Sequence, residues 1–469
     1  MDYKKMIREY LESHKEEMVA DICELMKVDS ERMEAKEGMP FGEGPALGLL
    51  AGTKVLEKYG FQVNNCDNYC IDTRLNGKEL QLDILCHLDV VPAGEGWTVT
   101  GPFEPLVKDG KIYGRGSSDD KGPAMAAFYA LRAIKELGIE LDRDVRLILG
   151  SDEECGSGDI EYYFRKNTNA PMSISPDADF PLIFLEKGRL STTFTAGYTQ
   201  SGFPGVRSVK SGVKVNVVPS AAEAVVEGMS YEELERYSKE ADQKNKTETV
   251  LTLLEDGSVH IRVNGTNAHA ASPMDGNNAL TALLSLLAGL PLGDGEASKL
   301  IRTISALFPH GDFYGAALGV DHEDEVSGKL TLTLDMFEMG GGKLSGTFDC
   351  RSCVSATDEN TRQAIYKKFE DAGLAHDTEE MTPPHYVPKE SLLVATLLDS
   401  YEKITGRREE PLAIGGGTYV HHIENGVACG CADPAVDNHM HGPDEFVVIE
   451  QLLMSAEIFA DAVIALCKG

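Results

Sequence analysis

Histidine and acidic side chains recur in short motifs along this sequence, each beside an apolar segment. Imidazole nitrogens and carboxylate oxygens together are the ligands that zinc and similar divalent ions take in proteins. A pair of such ions activates water for hydrolysis, so the set predicts a dimetal hydrolase. The positions are His87 and Asp89 in CHLDVVP, Asp119 and Asp120 in SSDDKGP, Glu153 and Glu154 in SDEECGSGD, Asp177 in SPDAD, and His439, His441, Asp444 and Glu445 in HMHGPDE.

Each motif taken alone also fits a role without chemistry. An isolated H-x-D is more often an ordinary surface or core histidine, and an isolated acidic pair is usually a solvated turn. On extended backbone, however, His87 and Asp89 point to the same face, so the carboxylate can hold the ring of a metal-bound histidine. Adjacent Glu153 and Glu154 diverge there, so one can bind metal while the other reaches a bound water. A calcium or purely structural site remains an alternative, which the histidines disfavour because calcium prefers oxygen ligands.

Other hydrolase and nucleotide-binding motifs are missing from the sequence. It contains no H-E-x-x-H, no G-x-S-x-G and no G-x-x-x-x-G-K-[ST], which argues against zincins, serine hydrolases of the α/β type and P-loop enzymes. The glycine runs MGGGK (339–343) and IGGGTY (414–419) lack the P-loop spacing. Phosphate binding is therefore the weaker interpretation of both runs.

The composition is that of a globular protein with a strongly acidic surface. The chain has 469 residues, with 44 Lys+Arg against 76 Asp+Glu and a formal charge of −32. Such a surface repels phosphate backbones and anionic membranes, so no nucleic acid or membrane partner is expected. There is no signal-peptide pattern, and ten scattered cysteines suit a reducing compartment. We expect a cytoplasmic protein.

Strand and helix patterns alternate over the first 180 residues. Apolar segments at 82–86 and 145–150 read as strands, and residues 122–138 read as a helix with Pro123 near its start and one apolar stripe. The first 25 residues predict an amphipathic helix. This alternation predicts a mainly parallel α/β sheet, in which active sites gather at the carboxyl ends of the strands.

Near residue 186 the sequence pattern changes to segments in which apolar and polar residues alternate, which is typical of an antiparallel α+β region. A proline-rich break, MTPPHYVP at 381–388, is followed by further helix and strand patterns. We therefore predict a catalytic α/β domain in two parts, residues 1–185 and 385–469, interrupted by an inserted α+β lid domain at 186–384.

The ordered motifs resemble one family over nearly the whole chain. HLDVVPAGEGW, YGRGSSDDKGP, SDEECGSGD, SPDADFP, NAHAASP and HGPDE occur in the order found in the dizinc peptidases related to carboxypeptidase G, acetylornithine deacetylase and succinyl-diaminopimelate desuccinylase. DDKGP, SDEECGS and AIGGGTY resemble most the bacterial dipeptidase V group, the Xaa-His or carnosinase-type dipeptidases. The resemblance implies a phosphorylase/hydrolase-like catalytic domain that carries two divalent metals, zinc first, with manganese or cobalt as alternatives.

The resemblance also implies a role for each motif residue. His87 and Asp177 would bind one metal, Glu154 and His441 the other, and Asp119 would bridge both, with a cis peptide bond after it. Glu153 would be the general base and Asp89 would orient His87, while Asp120 is left as an acid at a helix start. The family spacing H-x-x-[DN]-E selects His441 over His439. In the inserted domain the implied residues are His269 for the oxyanion and Asn216 and Arg351 for the substrate carbonyl and carboxylate. Outside that domain, the exposed backbone N–H groups of Gly415, Gly416 and Gly417, with Thr418, are a further candidate for holding the carboxylate.

The predicted function is a metallo-dipeptidase that acts on small peptides with a free N-terminus and is a monomer. An N-acyl amino acid deacylase of the same family and a non-catalytic peptide-binding homologue are the alternatives. The acid that would hold the substrate amine is left open among Asp89, Asp120 and an acid of the inserted domain. His269 and Arg351 also fit as a satisfied loop histidine and as the partner of a local acid.

Overall fold

Eleven α-helices and twenty-two β-strands occur in residues 2–468, the part of the chain that the computed structural model describes. The helices are α1 Tyr3–Ser13, α2 Lys15–Met26, α3 Glu43–Lys58, α4 Lys121–Glu136, α5 Gly158–Lys166, α6 Tyr231–Asn245, α7 Ala279–Gly289, α8 Glu296–Leu307, α9 Gln363–Asp371, α10 Leu392–Thr405 and α11 Ile449–Cys467. Short helical turns lie at Glu153–Cys155, Pro273–Asp275, Asp358–Arg362 and Tyr419–His422.

The strands are short, and most belong to two large sheets. They are β1 Val63–Cys66, β2 Cys70–Arg74, β3 Leu80–His87, β4 Leu106–Lys108, β5 Lys111–Tyr113, β6 Asp144–Gly150, β7 Met172–Ser175, β8 Ile183–Glu186, β9 Gly188–Gly197, β10 Gly205–Ser211, β11 Ala221–Glu227, β12 Glu248–Leu253, β13 Val259–Asn264, β14 Glu323–Asp324, β15 Gly328–Lys329, β16 Thr331–Gly340, β17 Lys343–Ser352, β18 Ala375–His376, β19 His385–Tyr386, β20 Leu412–Ile414, β21 Gly426–Ala428 and β22 Phe446–Val448.

Two compact units divide the chain. The first contains Met1–Leu185, Tyr386–Ala413 and Gly417–Gly469, and the second contains Glu186–His385 and Ile414–Gly416. The second unit is thus an insertion into the first, apart from a three-residue segment.

The first unit is built on a mixed sheet with strand order β1-β2-β6-β3-β7-β21-β8. The pairings β6–β3, β3–β7 and β7–β21 are parallel, and the outer pairings are antiparallel. Every residue of β6 is buried because its sequence DVRLILG is almost continuously apolar, as expected for a central parallel strand. The ends of β3, β6 and β7 therefore lie side by side.

Two helices of the first unit differ from the sequence prediction. The predicted N-terminal helix is interrupted at His14, whose backbone leaves the helical region and whose ring hydrogen-bonds the carbonyl of Tyr10 at 2.8 Å. The helix predicted at 122–138 begins at Lys121 and is buried on all sides from residue 121 to 134, not along one stripe. Small residues at several of its positions allow neighbours to pack all round it.

The second unit contains an antiparallel sheet with order β12-β13-β11-β10-β16-β17-β9-β18. Residues of β11 alternate between buried and half-buried, which is the pattern of a sheet with one face on the core. Helix α6 starts with a capping box in which Ser230 and Glu233 satisfy each other's backbone N–H groups. Its neighbour α7 is almost entirely apolar and packs into the core of this unit.

Candidate metal centre

The first unit places the predicted ligands at the ends of its parallel strands. His87 is the last residue of β3, Asp177 follows β7, and Glu154 lies in the turn after β6. Asp119 lies two residues before the start of α4, and the bond between Asp119 and Asp120 is cis, as the resemblance implies. His441 comes from the loop before β22. Five chain segments thus contribute one ligand candidate each.

Asp119 lies at the centre of these residues. Its Oδ1 is 3.0 Å from Nε2 of His87, and its Oδ2 is 2.8 Å from Nε2 of His441. The imidazole of His87 is also 3.7 Å from Oδ2 of Asp177, and that of His441 is 3.3 Å from Oε1 of Glu154. Each oxygen of Asp119 therefore faces a different histidine–carboxylate pair.

Four buried atoms around Asp119 have no hydrogen-bond partner among the described residues, and two of them belong to the ligand candidates. These two are Nε2 of His87 and Oδ1 of Asp119, although they are within 3.0 Å of each other. Two buried ligand atoms that lie close together without a hydrogen bond between them are suited to bind a cation placed between them. Ligand atoms of His87, Asp119 and Glu154 lie within 4.8 Å of one another, as do those of His87, Glu153 and Asp177. The residues present therefore fit a divalent metal centre.

The protonation of the cluster reflects its excess of buried acids. Burial raises the pKa of Glu153 well above its usual range and that of Glu154 to about 7. Hydrogen bonds to Asp119 and Glu154 raise the pKa of His441 to about 10. Burial opposes ionisation of Asp119 too, but both histidines outweigh it and the pKa is lowered. In this structure, protons offset the negative charge of the carboxylates, which a bound cation would otherwise offset.

Asp89 and Asp120 hold His87 and its neighbours in position. Nδ1 of His87 hydrogen-bonds the backbone carbonyl of Asp89 at 3.1 Å and lies 3.4 Å from Oδ1 of Asp89, while Oδ2 of Asp89 accepts the backbone N–H of Glu154 at 3.1 Å. Asp120 is fully buried, and its Oδ2 accepts the backbone N–H of His87 at 3.0 Å. Asp120 lies at the start of α4, as predicted, but its carboxyl makes no capping bond to the helix and binds the backbone of His87 instead.

The turn that carries Glu153 and Glu154 is a 3-10 helix, not the extended backbone assumed from the sequence. Asp159 supports this turn: its Oδ2 accepts the N–H groups of Ser151 at 2.5 Å and Asp152 at 2.9 Å. The same oxygen accepts the hydroxyl of Tyr419 at 2.5 Å.

Sequence reasoning missed Asp159 and Tyr419. Both are buried and lie in motifs already singled out, SDEECGSGD and AIGGGTY. Arg32 is a third missed residue; its guanidinium donates to Asp152 at 2.5 Å and to the carbonyl of Cys155 at 3.2 Å. Nothing in the local sequence pointed to Arg32, because its partners are more than a hundred residues away.

The loop of His441 is fastened through its two following acids. Glu445 is fully buried and accepts the backbone N–H of Ser118 at 3.0 Å, next to Asp119. Asp444 accepts the N–H groups of residues 98 and 99, both at 2.8 Å. The ring of His439 instead contacts the carbonyl of Pro443 at 3.3 Å, so only His441 of the two histidines reaches the cluster.

In the second unit, His269 and Asn216 lie on neighbouring backbone segments, joined by the N–H of Ala270 donating to the Asn216 carbonyl at 3.0 Å. Nδ1 of His269 accepts the N–H of Ala271 at 3.1 Å, which leaves the ring proton on Nε2. Burial and the charge of Arg351 lower the pKa of His269. Its neutral ring thus offers one N–H donor. The side-chain oxygen of Asn216 is buried with no hydrogen-bond partner among the described residues.

Arg351 is buried and already paired. Its Nε and Nη2 donate to the carboxylate of Asp349 at 2.6 and 2.9 Å, and its Nη1 donates to the carbonyl of Gly415 at 2.5 Å. A Cβ on Gly415 would come within 2.3 Å of that of Ala271, so only glycine fits there. The fork of Arg351 therefore faces Asp349.

The rest of the predicted glycine-rich segment is divided between the units. Gly416 belongs to the second unit with Gly415, whereas Gly417 and Thr418 belong to the first. Thr418 is buried and precedes the short helix that carries Tyr419; its hydroxyl accepts the N–H of Val420 at 3.4 Å.

The chain belongs to peptidase family M20/M25/M40, whose family model, described as "Peptidase family M20/M25/M40", matches residues 84–465. It is 36% identical over 467 residues to the Bacillus subtilis (strain 168) protein named "Putative dipeptidase YtjP", covering 97% of this chain and 98% of that protein. It is 32% identical over 468 residues to "Beta-Ala-Xaa dipeptidase" of Lactobacillus delbrueckii subsp. lactis, covering 98% of each.

Solved structures share the fold at low sequence identity. Human carnosine dipeptidase 1 superposes with a TM-score of 0.60 at 16% identity, covering 100% of this chain and 99% of that one. Aminoacylhistidine dipeptidase from Vibrio alginolyticus gives a TM-score of 0.58 at 14% identity, covering 96% and 97%. Among residues 2–468, no helix is both long and apolar enough to cross a membrane.

Proposed function

We propose that this protein is a metal-dependent dipeptidase that hydrolyses the peptide bond of dipeptides with a free N-terminus. The observation that carries the proposal is the arrangement around Asp119, with a histidine–carboxylate pair facing each of its oxygens. The activities in the names of the Bacillus and Lactobacillus relatives agree with it.

The ligand roles follow this arrangement. We assign His87 and Asp177 to one cation, Glu154 and His441 to the other, and Asp119 to both. When bound, the two cations supply a water of lowered pKa and polarise the scissile carbonyl. Zinc is our first choice, since mixed nitrogen and oxygen ligands suit it, and manganese and cobalt suit the same ligands.

Glu153 is the proposed general base. It would take a proton from the attacking water on its carboxylate and deliver it to the nitrogen of the leaving amine. Asp159 and Arg32 hold the turn that carries Glu153, by accepting backbone N–H groups and by pairing with Asp152. Asp89 fixes the ring of His87. Asp89 also accepts the backbone N–H of Glu154, so it links the ligand His87 to the turn of the base.

Residues of the second unit are proposed to bind the substrate. The neutral ring of His269, with one N–H donor, suits the oxyanion formed when water adds to the carbonyl. Asn216 has an unsatisfied side-chain oxygen and is assigned to the substrate backbone. Asp349 occupies the fork of Arg351, but some N–H groups of Arg351 remain. We assign the binding of the terminal carboxylate to these groups, together with the glycine segment 415–417 and Thr418.

The test compares substrates and one variant. A panel of dipeptides, including β-alanyl and Xaa-His dipeptides, is assayed beside N-acyl amino acids with added zinc, manganese or cobalt. We expect turnover of the dipeptides; turnover of the acyl amino acids alone would make the protein a deacylase. Absence of both activities in metal-loaded protein would favour a peptide-binding homologue.

The variant Glu153→Gln tests the proposed general base in the same assay. It should lower kcat at least about a hundredfold while metal content is retained, because the amide cannot accept the proton. Glu9→Gln, at an exposed position on α1, is the control and should behave as wild type. Activity that survives Glu153→Gln would remove this residue from its role.

The location, oligomeric state and partners of the protein are also proposals. We propose that it is a cytoplasmic monomer that meets small peptides and binds no nucleic acid. The acidic surface, with a formal charge of −32, supports the last point because it repels phosphate.

A further inference from the structure

Two cysteines face each other across the hairpin that β1 and β2 form. Cys66 ends β1, Cys70 begins β2, and the two are direct partners in the antiparallel register. Directly opposed residues have Cα atoms about 4.5–5.5 Å apart, which lies within the range of about 4.4–6.8 Å that disulfides span. None of the ten cysteines forms a disulfide in this structure.

The surroundings of the pair suit oxidation. Cys66 is half-buried and Cys70 is buried, so one thiol is accessible and the other is held behind it. The neighbouring thiol of Cys70 lowers the pKa of Cys66, while the thiol of Cys66, together with burial, raises the pKa of Cys70. Sγ of Cys66 donates to Oδ2 of Asp72 at 3.9 Å. Asp67 and Asp72 oppose ionisation of Cys66, and the ammonium of Lys166 favours it. Cys66 is therefore the thiol that reacts first.

The hairpin also touches the segment that carries Glu153. Cys70 pairs with Gly150, the last residue of β6, and the carbonyl of Tyr69 accepts the hydroxyl of Ser151 at 2.6 Å. The proposed base, Glu153, follows Ser151 by two residues. A change in the backbone at Tyr69 and Cys70 is thus transmitted directly to the start of this turn.

A second path runs through α5. Asp67, at the hairpin tip, accepts the hydroxyl of Tyr162 at 2.6 Å and the ammonium of Lys166 at 2.8 Å. The ring of Tyr69 stacks on that of Tyr162 with centroids 3.7 Å apart. The same helix carries Asp159 near its start, which holds the Glu153 turn. The hairpin is therefore connected to both sides of the turn.

We propose that Cys66 and Cys70 form a reversible disulfide under peroxide and that this bond lowers the hydrolytic activity. The Cys66 thiolate attacks one oxygen of hydrogen peroxide, the O–O bond breaks, and the hydroxide released takes a proton to become water. The sulfur of Cys70 then attacks the Cys66 sulfenic acid, forming the S–S bond and releasing a second water as Cys70 loses its proton. One peroxide is thus reduced to two waters, and a thiol reductant reverses the change.

The test treats the purified full-length protein with hydrogen peroxide and maps its cysteine peptides by mass spectrometry. We expect a Cys66–Cys70 bond, with the loss of two hydrogens, that dithiothreitol removes. Cys66→Ser and Cys70→Ser should not form it, and Cys23→Ser, a half-buried cysteine of α2, should form it as wild type does. Absence of this bond in the wild type overturns the proposal, and this readout does not depend on the protein being a dipeptidase.

Activity is measured on the same samples. Small displacements of a catalytic group cost up to about a hundredfold in rate, and we expect oxidation to lower kcat/KM by roughly tenfold, with full recovery in dithiothreitol. Cys66→Ser should keep its activity in peroxide. Unchanged activity in the disulfide form, or equal peroxide inactivation of Cys66→Ser, would overturn the link to the active site.

Discussion

Strands β3 and β6 carry buried charge at both ends, but the two ends are built differently. Away from the metal centre, Asp83 receives two hydrogen bonds from Arg146, both at 2.7 Å, and one from the N–H of Ala170 at 2.9 Å. At the carboxyl ends, Nε2 of His87 and Oδ1 of Asp119 are buried with no hydrogen-bond partner among the described residues. Among the described residues, the side chains of Asp83 and Arg146 leave no buried polar atom without a partner, whereas the carboxyl ends do.

This difference separates a structural pair from a candidate metal site. Asp83 has its own cation, so burial of both groups leaves no charge unpaired. The carboxyl end has two imidazoles against the six acids Asp89, Asp119, Asp120, Glu153, Glu154 and Asp177. An excess of buried acids has a cost, and it persists where a bound cation offsets it.

The largest effect should come from removing Asp119. Asp119→Ala deletes the carboxylate whose two oxygens lie within 3.0 Å of the two histidines, so we expect loss of both metals and of activity. Metal analysis after desalting measures this. Asp120→Asn is the matched control: its amide oxygen can still accept the N–H of His87, so both metals should remain. Two metals retained by Asp119→Ala would contradict the bridging role.

Metal removal should destabilise only the protein with an intact cluster. A ligand present at 1,000 times its Kd stabilises the native state by about 4 kcal/mol. Chelation should therefore lower the Tm of metal-loaded wild type by several degrees. The Tm of Asp119→Ala should not respond. Equal responses of the two proteins in differential scanning calorimetry would show that the metals bind elsewhere.

The other end of the strands should respond in stability alone. Arg146→Met leaves Asp83 buried without its cation, which should cost about 3–5 kcal/mol of unfolding free energy. Asp83→Asn combined with Arg146→Met should recover part of this loss, since the asparagine can still accept the N–H of Ala170. Denaturant unfolding measures both. Metal content should stay at the wild-type value, and a loss of metal from folded Arg146→Met would contradict the separation of the two ends.

Asp335 in the second unit is a buried acid whose two carboxylate oxygens have no hydrogen-bond partner among the described residues. It is fully buried at a bulge of β16, and burial followed by the charge of Asp349 raises its pKa to about 9, with Thr333 and Arg351 offsetting this only in part. Between its ordinary value, near 4, and about 9 the folded state holds a proton that the unfolded state has lost. Stability attributable to this group therefore falls as pH rises, by up to about 1.4 kcal/mol per pH unit.

Asp335→Asn should remove that dependence. Comparing unfolding free energies of wild type and variant at pH 5 and pH 8, we expect the variant's advantage to be greater at pH 8. A constant difference across this range would mean that the carboxyl is not held neutral. Metal content should not change, because Asp335 is not among the proposed ligands.

The smallest effect should follow Tyr419→Phe. This change removes one hydroxyl that donates to Asp159, which should cost about 1–2 kcal/mol of stability. Both metals should remain, while kcat falls a few-fold as the turn of Glu153 loosens. A loss confined to KM, with kcat unchanged, would contradict the positioning role of Tyr419.

The sequence was sufficient for the fold class and the family. The apolar segments 82–86 and 145–150 are strands β3 and β6, and the α/β prediction is confirmed, with antiparallel strands at the sheet's edges. The family resemblance is confirmed by the match over residues 84–465. These features depend on local patterns and ordered motifs, which a single sequence retains.

The sequence was not sufficient for side chains whose partners are distant in the chain. Asp120 was interpreted from its position before a helix, but its carboxyl reaches the backbone of His87, 33 residues away. The support of the Glu153 turn by Arg32 and Tyr419 likewise depends on tertiary contacts. The roles assigned to the ligands and to His269, Asn216 and Arg351 remain predictions.

A crystal structure of the metal-loaded protein with anomalous scattering tests the central claim most directly. We predict two anomalous peaks in the first unit, one bound by His87 and Asp177 and the other by Glu154 and His441, with Asp119 touching both. A single peak, or peaks that leave Asp119 unligated, would contradict the account.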